Sequence, residues 1–198
     1  MFKAMAADLA GTSDNCTPVP REKWSDPATV NDSLEFLRPG EQVHVYLKSK
    51  IYEWIFTDLG LLRIERENAA GIKRYISRLP WVTNDIQLQS LRFATAGAGM
   101  TDYACDIDSV IGGQRVHIEI VKSETPFARK LFLALTEIAV EQLRNKQILS
   151  QAQSLKTQIL VGSADPAALS NLLSVASRDL ILTWDPISYG HVFEKVMA

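Results

Sequence analysis

From Glu41 onward the apolar positions fall on every second residue. Val43, Val45 and Leu47 lie on one side, and His44, Tyr46 and Lys48 on the other, which is the signature of a strand with one buried face. Ser49-Lys50 is a tight connection, after which Tyr52, Trp54 and Phe56 alternate against Glu53, Ile55 and Thr57. Thr57-Asp58 and Gly60 then suit a turn, and Leu62 and Ile64 resume the alternation as a third strand. "ENAAG" at 67–71 makes a further turn, "IKRYISRL" at 72–79 a fourth strand, "LPWVTND" at 79–85 an irregular connection and "IQLQSLRFAT" a fifth strand.

The next hairpin has the clearest register. A Gly-Gly turn at Gly112 and Gly113 separates a run with Tyr103, Cys105 and Ile107 on one face from a run with Val116, Ile118 and Ile120. With the two glycines as the loop, Ile107 faces Ile118 and Cys105 faces Ile120, so the apolar faces coincide. Thr125-Pro126 then reads as N-cap and first helical residue of a long amphipathic helix carrying Phe127, Leu131, Ala134, Leu135, Ile138, Gln142 and Leu143. Beyond about residue 150, Asp165-Pro166 and Asp185-Pro186 each open a helix, with the apolar "DLILTW" between them. Ahead of the strands, residues 11–32 hold Pro18, Pro20 and Pro27 and read as a loop-rich arm; a short helix with Leu34 and Leu37 ends at Pro39-Gly40.

These elements predict an α+β fold: a seven-stranded antiparallel bent sheet, or partly open barrel, capped by a long helix. The expected organisation is an arm over 1–32, the sheet-and-helix domain over 33–148, and a helical extension over 149–198 packed on that domain. Three motifs, in this order, strengthen this. "LRPGE", Leu37 to Glu41, leads into the first strand; Phe56-Thr57 with Leu61-Leu62 spans strands two and three; Thr95-Ala96-Gly97, with Asp102 following, precedes strand six. On these motifs and their order the chain resembles the bacterial pleckstrin-homology-like domain family over roughly residues 33–148. The resemblance implies a non-catalytic module that self-assembles or binds protein. Gly60 stands where that family usually carries a basic residue.

Composition narrows the function further. An apolar content of 46% supplies a core, and a net charge of −2 provides no positive field for a polyanion, so no nucleic-acid partner is expected. Cys16 and Cys105 are too far apart in sequence to form the close pairs of a zinc knuckle, and read as idle thiols. The N-terminal segment lacks the apolar run of a secretory signal, and no run approaches transmembrane length, so a cytoplasmic protein with no membrane contact is expected. "GAG" at 97–99 lacks the third glycine and following helix of a dinucleotide loop, and no catalytic motif occurs; neither an enzyme nor a cofactor is expected.

Two groups of side chains nevertheless deserve a chemical reading. The hairpin register places Asp108 opposite His117 and Asp106 opposite Glu119, which on one strand face offers a ligand set for a divalent cation, as a regulator or a metal-assisted hydrolase. A solvated strand face carries the same residue types without a ligand. Lys48 and Lys50, at the first hairpin, are candidate contacts for an anionic headgroup, although Glu53 is close in sequence and several converging cations are normally required. Arg63, Arg66, Lys73, Arg74 and Arg78 are interleaved with Glu65 and Glu67 and make no field of one sign. The preferred expectation is a homo-oligomer or protein-binding scaffold acting through exposed strand edges. Trp54 belongs to the core by parity, while Trp81 and Trp184 are suited to pinning the C-terminal extension.

Overall fold

The computed structural model describes residues 14–26, 33–67, 73–93, 104–161, 174 and 188–198. Two antiparallel sheets form the body. The first has five strands in sequential order: β1 (Thr17–Pro18), β2 (Val43–Lys48), β3 (Tyr52–Thr57), β4 (Gly60–Arg66) and β5 (Arg74–Pro80). The second has three: β6 (Ile86–Phe93), β7 (Ala104–Ile111) and β8 (Gln114–Val121). Helix α1 (Thr125–Val161) follows, and a short helix α2 (Gly190–Met197) packs on α1 and β2. The helix from Asp165-Pro166, the "DLILTW" segment, Trp184, Asp185-Pro186, Thr95-Ala96-Gly97 and Asp102 lie outside the described residues.

The seven expected strands are present, and the arm adds an eighth. Thr17 and Pro18 pair with Lys48 and Leu47, while Cys16 makes a parallel bridge to Ile120. The Cys16 amide donates to the Glu119 carbonyl at 2.7 Å, and the Val121 amide donates to the Cys16 carbonyl at 3.1 Å. A short piece of arm therefore stitches the edge of one sheet to the edge of the other. The β7–β8 hairpin has the register read from its glycines, Ile107 opposite Ile118 and Cys105 opposite Ile120, with Gly112 and Gly113 at φ 57° and 79°. Positive φ at both central residues is what a two-residue turn matched to strand twist requires.

One expectation is corrected: strands β2–β4 of the first sheet are buried on both faces. Its inner face sends Val45, Leu47, Trp54, Phe56 and Leu61 into the main core, shared with Cys105, Ile107, Val116, Ile118 and Ile120 of the second sheet and Leu131, Leu135 and Ile138 of α1. Its outer face carries Tyr46, Ile55, Leu62 and Ile64 beneath Val19, Trp24, Leu34 and Leu37. The segment before β2 thus folds back as a second layer, and its 3-10 turn Ser33–Phe36 supplies part of the cover. Trp81 is fully buried; its indole donates to the Thr57 carbonyl at 3.0 Å, and its own carbonyl accepts from Gln142 of α1 at 2.8 Å. It ties the β5–β6 connection to the helix.

Helix α1 runs 37 residues, about 55 Å, and passes through position 150, where a change of texture was expected. Thr125 also differs from expectation. It already has helical dihedrals, and its hydroxyl donates back to the Lys122 carbonyl at 2.6 Å instead of capping the next turn. No helix among the described residues is long and apolar enough to cross a membrane.

Candidate functional sites on the sheet faces and edges

The outer face of the β7–β8 hairpin brings the expected residues together. Asp108 lies opposite His117 and Asp106 opposite Glu119. His117 Nδ1 is 2.9 Å from Asp108 and Nε2 is 3.2 Å from Glu119. Burial works against protonation of the ring, but the hydrogen bonds and charges of these two acids outweigh it and hold the His117 pKa above its ordinary value. Asp108 is only 4% exposed; it also accepts from Arg92 at 2.7 Å and Ser90 at 3.3 Å, and Arg115 lies 3.6 Å away. Burial would raise its pKa, yet the His117 and Arg92 hydrogen bonds and charges bring it below the usual carboxylate range.

These contacts divide the four residues. Asp108 is committed to cations of the chain, whereas Asp106, His117 and Glu119 offer ligand atoms within 4.8 Å of one another. A divalent ion there would have to displace the proton that the two acids stabilise on His117, and would face Arg92 and Arg115 nearby.

At the first hairpin the structure places an acid where a phosphate oxygen would need a donor. Asp14 accepts from the Ser49 hydroxyl at 2.9 Å and from the Ile51 amide at 3.0 Å. Lys50 is exposed and Lys48 half-buried, and burial lowers the Lys48 pKa despite Glu53 beside it. Two lysines beside the Asp14 carboxylate make a poor clamp for a dianion.

Two buried carboxylates went unrecognised as such in the sequence. Glu53 is fully buried, accepting from Ser33 and Tyr46 at 2.5 Å each and from Arg66 at 3.0 Å. Glu41 takes a two-pronged contact from Arg78, at 2.7 and 2.8 Å, with the Arg38 amide at 2.8 Å and the Thr57 hydroxyl at 2.5 Å. Burial alone would raise its pKa; these donors hold it below the ordinary value. Glu41 closes the "LRPGE" lead-in and Thr57 belongs to the Phe56-Thr57 motif, so the motif residues meet in space. Thr57 also accepts from the Gly60 amide at 3.0 Å. Gly60 is required at this point, since a Cβ would lie 2.7 Å from the Leu79 carbonyl oxygen. The motifs therefore encode a clamp that fixes the strand-two lead-in to the β3–β4 turn. The clue in sequence was Glu41 at the end of the lead-in and Thr57 at the start of the turn, both already part of the motifs.

Strand β5 ends the five-stranded sheet and has no strand on its other side among the described residues. Along this edge Tyr75 is 59% and Ile76 41% exposed. The thiols are not reactive candidates: Cys16 and Cys105 are free and buried, and burial pushes the Cys16 pKa up to about 12.

Two stacked antiparallel sheets, closed by a long helix after the last strand, define a pleckstrin-homology-like module. The family model described as bacterial PH domain matches residues 22–139, and the chain belongs to that family. It is 28% identical over 162 residues to the uncharacterized protein YvbH of Bacillus subtilis strain 168, covering 81% of this chain and 76% of that one. A PH-domain-containing protein from Exiguobacterium sibiricum 255-15 superposes with a TM-score of 0.74 at 25% identity, over 93% of this chain and all of the other. A protein with a pleckstrin-homology domain from Shewanella loihica PV-4 gives a TM-score of 0.44 at 15% identity, over 64% of this chain and 99% of that one.

Proposed function

We propose that this chain is a non-catalytic binding or scaffolding module of the cytoplasm that works by strand addition at the β5 edge, with a second copy of itself as the first partner. The observation that carries this reading is a strand with no neighbour on its outer side among the described residues, bearing exposed Tyr75 and Ile76, in a sheet whose strands β2–β4 are covered on both faces. With the faces of β2–β4 occupied, β5 is the part of the first sheet best placed to recruit another chain, and edge pairing supplies backbone hydrogen bonds plus pockets for alternate side chains. Light scattering across a concentration series tests it. The native protein should be larger than one chain, and Tyr75→Lys with Ile76→Lys should shift it to monomer without lowering its unfolding midpoint. A native protein that stays monomeric throughout removes this reading.

A second reading has one specific observation in its favour, the convergence of Asp106, His117 and Glu119. A metal-binding regulator or metal-assisted hydrolase centred there would give saturable heat on titration with Mn2+ or Zn2+, lost in His117→Gln. Absence of heat at neutral pH ends it.

A further inference from the structure

Helix α2 is held to the body by few groups. It has eight residues, and helices shorter than about 12 are marginal in water on their own. Its buried anchors are Val192 and Phe193, with Tyr189 just ahead, whose amide donates to the Asp58 carbonyl at 2.8 Å. The ion pairs it makes with α1, His191 to Glu141 at 3.2 Å and Lys195 to Glu137 at 3.1 Å, lie at the surface and contribute little.

Beneath these anchors sits His44 of β2, only 8% exposed. Its ring stacks on Phe193, with centroids 5.4 Å apart and planes 11° from parallel, and Phe193 also meets Phe56 at 6.3 Å. Gly190 closes over the Nε2 edge: a Cβ there would lie 3.0 Å from Nε2 and 3.1 Å from the Asp58 Cβ. Neither ring nitrogen has accessible surface or a hydrogen-bond partner among the described residues. Buried polar groups are normally paired, and an unpaired charge costs far more to bury than an unpaired dipole. The seated helix therefore tolerates a neutral ring and penalises a protonated one.

The surrounding charges do not remove that penalty. Burial, the largest influence, holds the ring below its ordinary pKa; Asp58 of the β3–β4 turn and Glu194 of α2 pull upward, and Arg21 of the arm adds to burial. Asp58 is engaged elsewhere, accepting from the Gln42 amide at 2.8 Å and the Ser188 hydroxyl at 3.4 Å. Glu124, just ahead of α1, and Lys130 of α1 line the adjoining cleft of about 660 Å3, and Lys130 donates to the Ala198 carbonyl at 2.6 Å. His191, beside Glu141, would tighten α2 on gaining a proton and so acts in the opposite sense.

We propose that α2 is an acid-released latch: when His44 gains a proton, α2 leaves β2 and α1, water reaches the ring, and Phe56 and the cleft wall formed by Phe193 and Met197 are uncovered. Local opening of a weakly held element is how such a group meets water without unfolding the whole chain. The freed ring titrates at its ordinary 6.5, so opening grows as the pH falls below that value and levels off below the depressed one. This device lies at the β1–β2 end of the first sheet and does not rest on the assembly reading for the β5 edge.

Amide hydrogen exchange on the full-length protein, expressed as protection against the free-peptide rate at each pH, tests it. Between about pH 7.5 and about pH 5, protection of the Glu194 to Met197 amides should fall by about tenfold or more, while Ile107 and Ile118 keep theirs. His44→Gln and His44→Leu, which cannot take up the proton, should hold α2 equally protected at both ends; two variants guard against one failing to fold. His191→Gln should still show the fall. Protection of α2 that ignores pH in the native protein, that falls as far in the folded His44 variants, or that falls together with Ile107 and Ile118 would each overturn the proposal.

Discussion

His44 and His117 place opposite demands on the folded state. Burial depresses the His44 pKa below its ordinary 6.5, so between those two values the unfolded chain binds more protons. Its contribution to stability is complete above pH 6.5 and is lost as the pH falls from there through the depressed value. His117 runs the other way: with its pKa held above 6.5 by Asp108 and Glu119, its contribution is complete below 6.5 and is lost as the pH rises through the raised value. Urea midpoints between about pH 5 and pH 8 resolve the two. His44→Leu should flatten the acid side of the profile and raise stability by about 1–3 kcal/mol near neutrality, the cost of an unsatisfied buried group. His117→Gln should flatten the alkaline side. A third residue is constrained by space alone. A methyl group at Gly60 would lie 2.7 Å from the Leu79 oxygen and 2.9 Å from the Pro80 Cα, both backbone atoms. Gly60→Ala should therefore cost about 1–3 kcal/mol in the same urea assay, as overpacking does.

Among the elements, the arm strand has an influence out of proportion to its two residues. It places Cys16 in the main core at 1% exposure and gives β2 and β8 a common neighbour. A thiol reagent such as Ellman's should titrate no cysteine in the native protein and both in denaturant; the rate at which Cys16 becomes reactive in mild urea then measures opening of the arm. Slow native reaction that does not accelerate with urea would mean that the arm is not what shields the thiol. This strand was not legible in the sequence, because "CTPV" is too short for a period and sits among prolines that signal a loop. The β7–β8 hairpin was legible down to its register, since Gly112-Gly113 fixes the turn and the apolar positions on each side agree. The polar face of β2 and β3 was legible only as alternation. His44, Glu53 and Thr57 read as solvent-facing, yet all three are buried, because their covers and partners come from segments distant in sequence: Ser33 and Arg66 for Glu53, Glu41 for Thr57, and α2 for His44. A period of two separates the faces of a strand and says nothing about what lies on them. The same limit applies to the candidate cation site: register brings Asp108 to His117, but Arg92, from the neighbouring strand β6, takes it.

On the scale of the whole molecule, the proposed assembly edge and the His117 cluster lie on different sheets. β5 ends the five-stranded sheet, whereas Asp106, His117 and Glu119 belong to the three-stranded one. Between them stands a shared core in which Phe56, Leu61, Ile107 and Ile118 are buried. Coupling between two sites requires an element with two states that both bias. The two features should therefore be separable. Tyr75→Lys with Ile76→Lys should abolish assembly while leaving the alkaline limb of the urea profile, set by His117, where it stands in the native protein. His117→Gln should flatten that limb while leaving the light-scattering mass unchanged. A mass that falls in His117→Gln would relocate the subunit contact from β5 to the β7–β8 hairpin.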